Sequence, residues 1–431
     1  MSAKPRANMK TKTSFGIFIT RTLCLVIGLI IWIVTPAHGY SQEKIDSKTN
    51  EALLKPLPAS LNLPYICRNP QPDDYRHMIN KGAPLTNLPK FNPENPFSVD
   101  LRSADASGLD LRDSAADLAH ANYDSQTIWP PKDRMPPTFD AGRILEPGKN
   151  PGLGVRGLQA QGITGRGIGI GIVDQALLTR HSEYAGRIKW YEEINVESWR
   201  PSEMHGPAVA SIAVGKTVGV APEADLYYIA IRTYEMSSIL HNYAQGVRRL
   251  LQVNQRLPKE NRIRAISLSI GYGPGTPGYE DFISAVKEAE AEGIFVAWCG
   301  SERFPIEGLG VPPSADRDDF NAYVIPQRYQ VPVPGSLFVP MDSRTTASPT
   351  GVNDYVFYGP GGKSWTVPYA AGAYALAAQV APDITPERFW SLALKTGRKV
   401  QAKYDGRDVD AGQILDTVAL IKALAEKERT K

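Results

Sequence analysis

The sequence predicts an α/β fold: a mostly parallel sheet with helices on both faces, preceded by an irregular N-terminal extension. Beyond Gly152, apolar runs of strand length alternate with segments whose apolar residues have helical spacing. The runs GIGIGIVD (167–174), ADLYYIAI (224–231) and IRAISLSIG (263–271) are mainly apolar rather than alternating. Strands buried on both faces of a parallel sheet have this character.

The first 39 residues have the order of a secretory signal. Positive charge without any acid precedes an unbroken apolar run from Leu23 to Val34, and the small residues PAHG follow. A run of this length is short for a helix that spans a bilayer, which needs about 20 apolar residues. We therefore predict that residues 1–39 are a signal peptide and that the protein is secreted or extracytoplasmic. An uncleaved N-terminal membrane anchor is the alternative, and without it we expect no stable membrane span.

The charge balance excludes one class of partner. The whole chain carries a formal net charge of +3, and removal of the five basic residues of the leader, which has no acid, changes it to −2. A chain without a basic excess has no electrostatic basis for binding nucleic acid.

Residues 40–150 are predicted to form the extension. Residues 40–98 are rich in Pro, Asn and Asp and form an irregular arm. Residues 99–150 begin with a stretch in which a small or apolar residue recurs every fifth position, which resembles pentapeptide repeats. Later in the same segment lies the proline-rich linker WPPKDRMPPTFD (129–140). An irregular loop or a short amphipathic helix is the alternative to the repeat. The recurring positions are Leu101, Ala106, Leu111, Ala116 and Ala121.

Residues 151–431 then form the main domain, and three of its residues could carry chemistry. Asp174 directly follows an apolar strand and should emerge at the carboxyl edge of the sheet, where sites of parallel sheets lie. His205 opens the small-residue helix HGPAVASIAVG, whose positive end favours a neutral imidazole that can accept a proton. Ser364 opens a second such helix, in which Pro368 is tolerated within the first turn.

Each residue alone has an ordinary explanation: a turn aspartate, a packing histidine and a helix cap. Together they form an Asp-His-Ser set in which a carboxylate orients a base and the base activates a hydroxyl.

The order Asp, His, Ser and the surrounding motifs resemble the subtilase family of serine peptidases. The segments GIGIVDQALLTRHSEY, HGPAVASIAVG and GKSWTVPYAAGAYAL are similar to its three catalytic motifs, in the right order across residues 150–400. The resemblance implies that Ser364 attacks a peptide carbonyl, His205 transfers the proton and Asp174 orients the histidine. His181, the competing base, is expected to be structural.

The resemblance also implies a substrate site and an oxyanion site. The segment ISLSIGYG (266–273) is similar to the family's substrate-docking strand, so Ser269 and Gly271 should lie beside an extended peptide or protein substrate. Ser301 stands where the family usually has an oxyanion-binding asparagine, and the loss of one such donor costs about 10²–10³ in turnover. Asn321 is the alternative donor.

The residue after Ser364 is a further departure from the family. Trp365 stands where methionine is common, and its indole should either narrow the site or pack beneath it.

Few observations point to cofactors or covalent links. We expect no required cofactor, and the sequence contains no Asp-rich calcium loop. The alternative, which the resemblance implies and no motif shows, is structural calcium at irregular carbonyl-rich loops. Outside the leader the cysteines are Cys67 and Cys299, which fit one disulfide or two buried thiols equally well. The extension fits a permanent cover somewhat better than a removable propeptide.

We therefore expect an exported serine endopeptidase that forms an acyl-enzyme. The alternative is a catalytically silent protein of the same fold that binds peptides or a partner in its cleft.

Overall fold

Six parallel strands form the central sheet of the computed structural model, which describes residues 56–429 except 59, 74, 77–81, 327, 329–332, 334 and 405–406. The predicted signal segment 1–39 lies outside the described residues. The strands in chain order are β1 (Tyr65–Ile66), β2 (Asn122–Asp124), β3 (Gly169–Asp174), β4 (Ile188–Ile194), β5 (Asp225–Ile231), β6 (Ile263–Leu268), β7 (Phe295–Trp298), β8 (Ile306–Leu309), β9 (Ser336–Pro340), β10 (Arg344–Ala347), β11 (Tyr355–Tyr358), β12 (Arg398–Tyr404) and β13 (Arg407–Ile414). The central sheet has the order β1-β4-β5-β3-β6-β7.

Helices cover both faces of this sheet, which confirms the predicted fold class. The described helices are α1 (Ala115–Leu118), α2 (Ala141–Gly148), α3 (Val155–Ala160), α4 (His205–Val214), α5 (Ile239–Gln255), α6 (Tyr279–Ala291), α7 (Thr366–Val380), α8 (Pro386–Thr396) and α9 (Thr417–Arg429). The small-residue helices α4 and α7 lie in the apolar core of one face, while α5 and α6 lie in that of the other. None of the described helices combines the length and the apolar character needed to cross a bilayer.

The strand order locates the site. From β3 the chain fills one side of the sheet with β4 and β5 and then crosses to the other side with β6 and β7. β3 is therefore the strand at which the direction of winding reverses, and ligands of open parallel sheets bind beyond the carboxyl end at that point.

Small residues let α4 and α7 pack closely. All but the first residue of α4 are buried, as are thirteen residues of α7. At Gly372 of α7 a Cβ atom would lie 2.7 Å from the Cβ of Val220, so only glycine allows this approach. Pro207 and Pro368 each occupy the first turn of their helix, where a missing N–H leaves no hydrogen bond unmade.

Two smaller sheets were not predicted. One is antiparallel with the order β10-β11-β2, and the other has the order β12-β13-β9-β8. In the first, β2 of the extension pairs with β11, which lies more than two hundred residues later in the chain. Their pairing leaves no periodic signal in either segment.

The extension contains regular turns spaced by five residues. The N–H groups of Ala104, Leu109 and Ser114 each donate to the carbonyl three residues earlier, at 2.9–3.0 Å. Four of the five recurring positions are buried, whereas Ala116 is exposed in α1. The arm is otherwise irregular, but β1 pairs with β4 at the edge of the central sheet.

Candidate active site

Asp174 is the last residue of β3 and is fully buried. Its Oδ1 atom lies 2.7 Å from Nδ1 of His205 and accepts the backbone N–H of Gln175 at 2.8 Å. The carboxylate thus selects the tautomer in which Nδ1 of His205 carries the proton and Nε2 is free to accept another.

His205 is the first residue of α4, and Gln175 holds that end of the helix. The side-chain Oε1 of Gln175 accepts the backbone N–H of His205 at 3.0 Å, and no side chain at the preceding residue, Met204, caps the helix. A Cβ atom on Gly206 would lie 2.4 Å from the carbonyl oxygen of Gln175, so glycine is required for this contact.

Gln175 therefore sets the distance between the aspartate strand and the histidine helix, a role that the sequence analysis missed. The available signal was a polar residue directly after Asp174.

Ser364 lies in the 3₁₀ turn Lys363–Trp365 that leads into α7. Its Oγ donates to the carbonyl of Ser269 at 3.5 Å, and no hydrogen bond joins it to His205. A change of χ1 to another staggered rotamer redirects a serine hydroxyl, and catalytic hydrogen bonds are often loose in ligand-free sites. The structure thus joins two of the three predicted residues directly and places the third in an adjacent turn.

Trp365 connects that turn to the histidine. The indole is buried, and its ring centroid lies 5.2 Å from that of His205, with the two planes tilted by 34°. From the sequence the indole was expected either to narrow the site or to pack beneath it. In the structure the indole packs beside the imidazole of His205. The turn that carries Ser364 and the start of α4 are therefore in contact.

The predicted oxyanion residues differ in their surroundings. Ser301 is buried after the end of β7, and its Oγ accepts the N–H of Phe304 at 3.1 Å, which leaves the hydroxyl proton for another acceptor. Asn321 is exposed, and its amide donates to Asp319 at 3.0 Å within its own turn. The geometry favours Ser301 over Asn321, and the assignment stays a prediction.

The predicted substrate residues follow β6. The Oγ of Ser269 donates to the carbonyl of Ser364 at 2.8 Å, so this side chain stabilises the turn that carries Ser364. Gly271 is exposed. Nearby, Tyr272 donates to the sulfur of Met236 at 3.2 Å, and Met236 and Tyr234 belong to the loop after β5 and are exposed. These side chains offer an apolar surface at the carboxyl edge of the sheet.

His181 lies outside this arrangement. It is buried, its Nε2 donates to the carbonyl of Asp354 at 2.8 Å, and its Nδ1 accepts the N–H of Glu183 at 3.2 Å. Burial lowers the pKa of His181 below its usual value and favours the neutral ring, while the two hydrogen bonds fix the orientation of that ring.

The two cysteines outside the leader are free thiols. Of the two alternatives left open by the sequence, the structure has two thiols and no disulfide between them. The residue Cys67 is exposed and Cys299 is half-buried, so the predicted pair of buried thiols is wrong for Cys67. Burial raises the pKa of Cys299 to about 12. In the described part of the chain, no group of three or more His, Cys, Asp or Glu side chains is arranged to hold a metal ion.

Comparisons with known proteins agree with the motifs. Residues 165–330 match the model of the subtilase family. Similar proteins include the subtilisin-like protease PopC of Myxococcus xanthus, which is 31% identical over 131 residues, or 28% of each chain. The serine protease AprX of Bacillus subtilis is 25% identical over 295 residues, or 59% of this chain and 66% of AprX. Residues 165–330 of this chain thus resemble the subtilase family, and proteins named as proteases of that kind are similar to it, although the chain spans less than two thirds of these relatives.

Two solved structures also align with part of this chain. A cold-adapted subtilisin-like serine proteinase aligns with a TM-score of 0.42 and 18% identity, over 59% of this chain and 90% of the other. The macrocyclase PatG, solved in complex with a peptide, aligns with a TM-score of 0.46 and 13% identity, over 63% of this chain and 95% of the other.

Proposed function

We propose that this protein is an exported serine endopeptidase that cleaves peptide bonds through an acyl-enzyme on Ser364. The observation that carries the proposal is the contact of 2.7 Å between buried Asp174 and Nδ1 of His205, with the Ser364 turn packed beside the same ring. The family supports hydrolysis by a serine nucleophile, and the finer assignment of residues and of endopeptidase activity is ours.

The chemistry follows from the tautomer that Asp174 imposes. Nε2 of His205 accepts the hydroxyl proton as Oγ of Ser364 attacks the carbonyl carbon of the scissile bond, and the imidazolium that forms is stabilised by the carboxylate. The proton then passes to the leaving amine, which leaves an ester on Ser364. Water attacks the ester with the same base, and the carboxylic acid product and free serine result.

Two donors are proposed for the negative oxygen of the tetrahedral intermediate. The backbone N–H of Ser364 is one, and the hydroxyl of Ser301 is the other. An extended substrate would pair with the backbone near Gly271, which supplies affinity with little demand on side-chain identity. The exposed Tyr234 and Met236 would then contact apolar substrate side chains.

A fluorophosphonate probe tests the nucleophile without knowledge of the substrate. We expect wild-type protein to gain the mass of one adduct, and Ser364→Ala and His205→Ala to gain none while retaining the circular dichroism of the wild type. If folded wild-type protein stays unlabelled, or if Ser364→Ala is labelled equally, the endopeptidase proposal fails. Peptide binding by an unlabelled but folded protein would favour the silent, peptide-binding alternative.

The proposal of export rests on the composition of residues 1–39. Expression of the full chain in a bacterial host, with fractionation and N-terminal sequencing, tests it. We expect the protein outside the cytoplasm with a new N terminus near residue 40. An intact N terminus on membrane-bound protein would favour the anchor instead.

A further inference from the structure

The extension is built into the segment that carries the nucleophile. β2 pairs with β11 so that Asn122 lies opposite Tyr358, and Oδ1 of Asn122 accepts the N–H of Gly359 at 3.0 Å. A Cβ atom on Gly359 would lie 2.9 Å from the carbonyl oxygen of Ala121, so the two backbones are in direct contact. Ser364 follows this contact by only five residues.

A buried arginine of the extension faces the same strand. The side chain of Arg102 is 8% exposed and pairs with Asp100 at 2.6 Å. Its guanidinium lies 4.3 Å from the ring centroid of Tyr75 and 5.8 Å from that of Tyr358. The guanidinium of Arg102 thus lies close to one ring of the arm, Tyr75, and one ring of β11, Tyr358.

The contacts continue to the candidate base. The ring of Tyr358 lies 5.2 Å from that of Trp365, and Trp365 lies 5.2 Å from His205. A continuous series of packed side chains therefore runs from Arg102 to His205.

Stability alone does not account for this cluster. Nε1 of Trp365 is buried without a hydrogen-bond partner in the described part of the chain, and the buried hydroxyl of Tyr358 interacts with the polar ends of Arg102 and Tyr75. Buried polar groups without full hydrogen bonding are destabilising, and apolar side chains of similar volume often serve a core as well as a buried ion pair. The arrangement instead fixes the positions of the rings of Tyr358 and Trp365, and Trp365 contacts His205.

We propose that Arg102 is a positioning residue, which acts through Tyr358 and Trp365 on His205, and that the extension remains part of the active enzyme. This rests on the proposed function above. It also means that residues 99–135 are not a removable propeptide, because their loss would expose β11 and release Trp365.

The sequence supplies a matched control. The tripeptide Asp-Leu-Arg occurs twice, ten residues apart, and Arg112 pairs with Asp110 at 2.5 Å just as Arg102 pairs with Asp100. Arg112 is 63% exposed and makes none of the ring contacts of Arg102. Arg102→Met and Arg112→Met therefore remove ion pairs with the same sequence spacing, one buried against β11 and one on the surface.

The experiment measures the rate of fluorophosphonate labelling against probe concentration. We expect Arg102→Met to lower the maximal rate by about 10–100-fold, since small displacements of catalytic groups have effects of this size, with little change in the probe concentration that gives half the maximal rate. Arg112→Met should match the wild type. Equal rates for the two variants would overturn the proposal, whereas failure of wild-type labelling would instead refute the proposed function.

Two further measurements cover the case in which Arg102→Met does not fold. Tyr358→Phe keeps the ring and should label like the wild type, while Tyr358→Leu should be slow, and equal rates for these two would contradict the series of contacts. In addition, a specific protease site inserted in the exposed turn Lys132–Arg134 allows the extension to be cut from the folded protein. We expect both fragments to co-elute and to label; loss of the N-terminal fragment with an unchanged rate would show that the extension is dispensable.

Discussion

Replacement of Asp174 by asparagine should lower kcat by roughly 10³–10⁴ with little change in KM. When His205 becomes an imidazolium, its charge lies about 4 Å from that of the carboxylate, given the Oδ1–Nδ1 distance of 2.7 Å. The aspartate is fully buried and the histidine side chain is 21% exposed, so an effective dielectric constant of about 20 applies and the lost attraction is about 4 kcal/mol. That energy corresponds to about 10³ in rate. An asparagine NH2 group that faces Nδ1 also favours the tautomer with the proton on Nε2. In that tautomer Nε2 cannot accept the proton of Ser364, which lowers the rate further.

The assay is turnover of a fluorogenic peptide, with labelling by the fluorophosphonate as a second readout. Asp281→Asn is the control, because Asp281 pairs with Nδ1 of His241 at 3.0 Å on the surface, where both side chains are partly exposed. We expect this variant to retain wild-type kcat. If Asp174→Asn stays within threefold of the wild type, or if both variants lose the same activity, the assignment of Asp174 and His205 is wrong.

Three other predictions concern the oxyanion, the thiols and acid stability. Ser301→Ala should lower kcat by about 10² at unchanged KM, and an unchanged kcat would place the donor elsewhere. Cys67 is exposed, whereas burial raises the pKa of Cys299 to about 12, so roughly one Cys299 thiol in 10⁴ is ionised at pH 8. Ellman's reagent should therefore react with Cys67 before Cys299 in folded residues 40–431 and with two thiols after denaturation, and equally rapid reaction of both thiols in the folded protein would contradict this. Burial lowers the pKa of His181 in the folded state, so the unfolded chain binds the proton more readily and stability should fall as pH drops below about 6.5. Denaturant unfolding at pH 7.5 and 5.5 should show a smaller loss for His181→Gln than for the wild type, and an equal loss would exclude His181 as the cause.

The sequence was sufficient for strands β3, β5 and β6 of the central sheet because their signals are local, whereas β1 and β4 of the same sheet were not predicted. The apolar run that ends at Asp174 became β3, and the small-residue runs after His205 and Ser364 became α4 and α7. Since the carboxyl ends of parallel strands share one edge, the aspartate and the start of the histidine helix could be expected to meet. The motif order added the family, which the match over residues 165–330 supports.

Other features depended on contacts between distant segments. The pairing of β2 with β11, the cap that Gln175 provides for α4, and the packing of Trp365 on His205 leave no periodic trace in the sequence. The direction of the Ser364 hydroxyl, toward Ser269 rather than His205, depends on a single rotamer.

The sequence by itself therefore determined the strands β3, β5 and β6, the helices α4 and α7, and the residues at their ends, because hydrophobic period and helix starts are properties of a few neighbouring residues. Only the tertiary structure decided that the extension pairs with β11, the strand that precedes Ser364, and that Arg102 lies at one end of a series of packed side chains that reaches His205. The physical reason is that side-chain packing depends on shape and distance in three dimensions, and those are set only after all the elements are assembled.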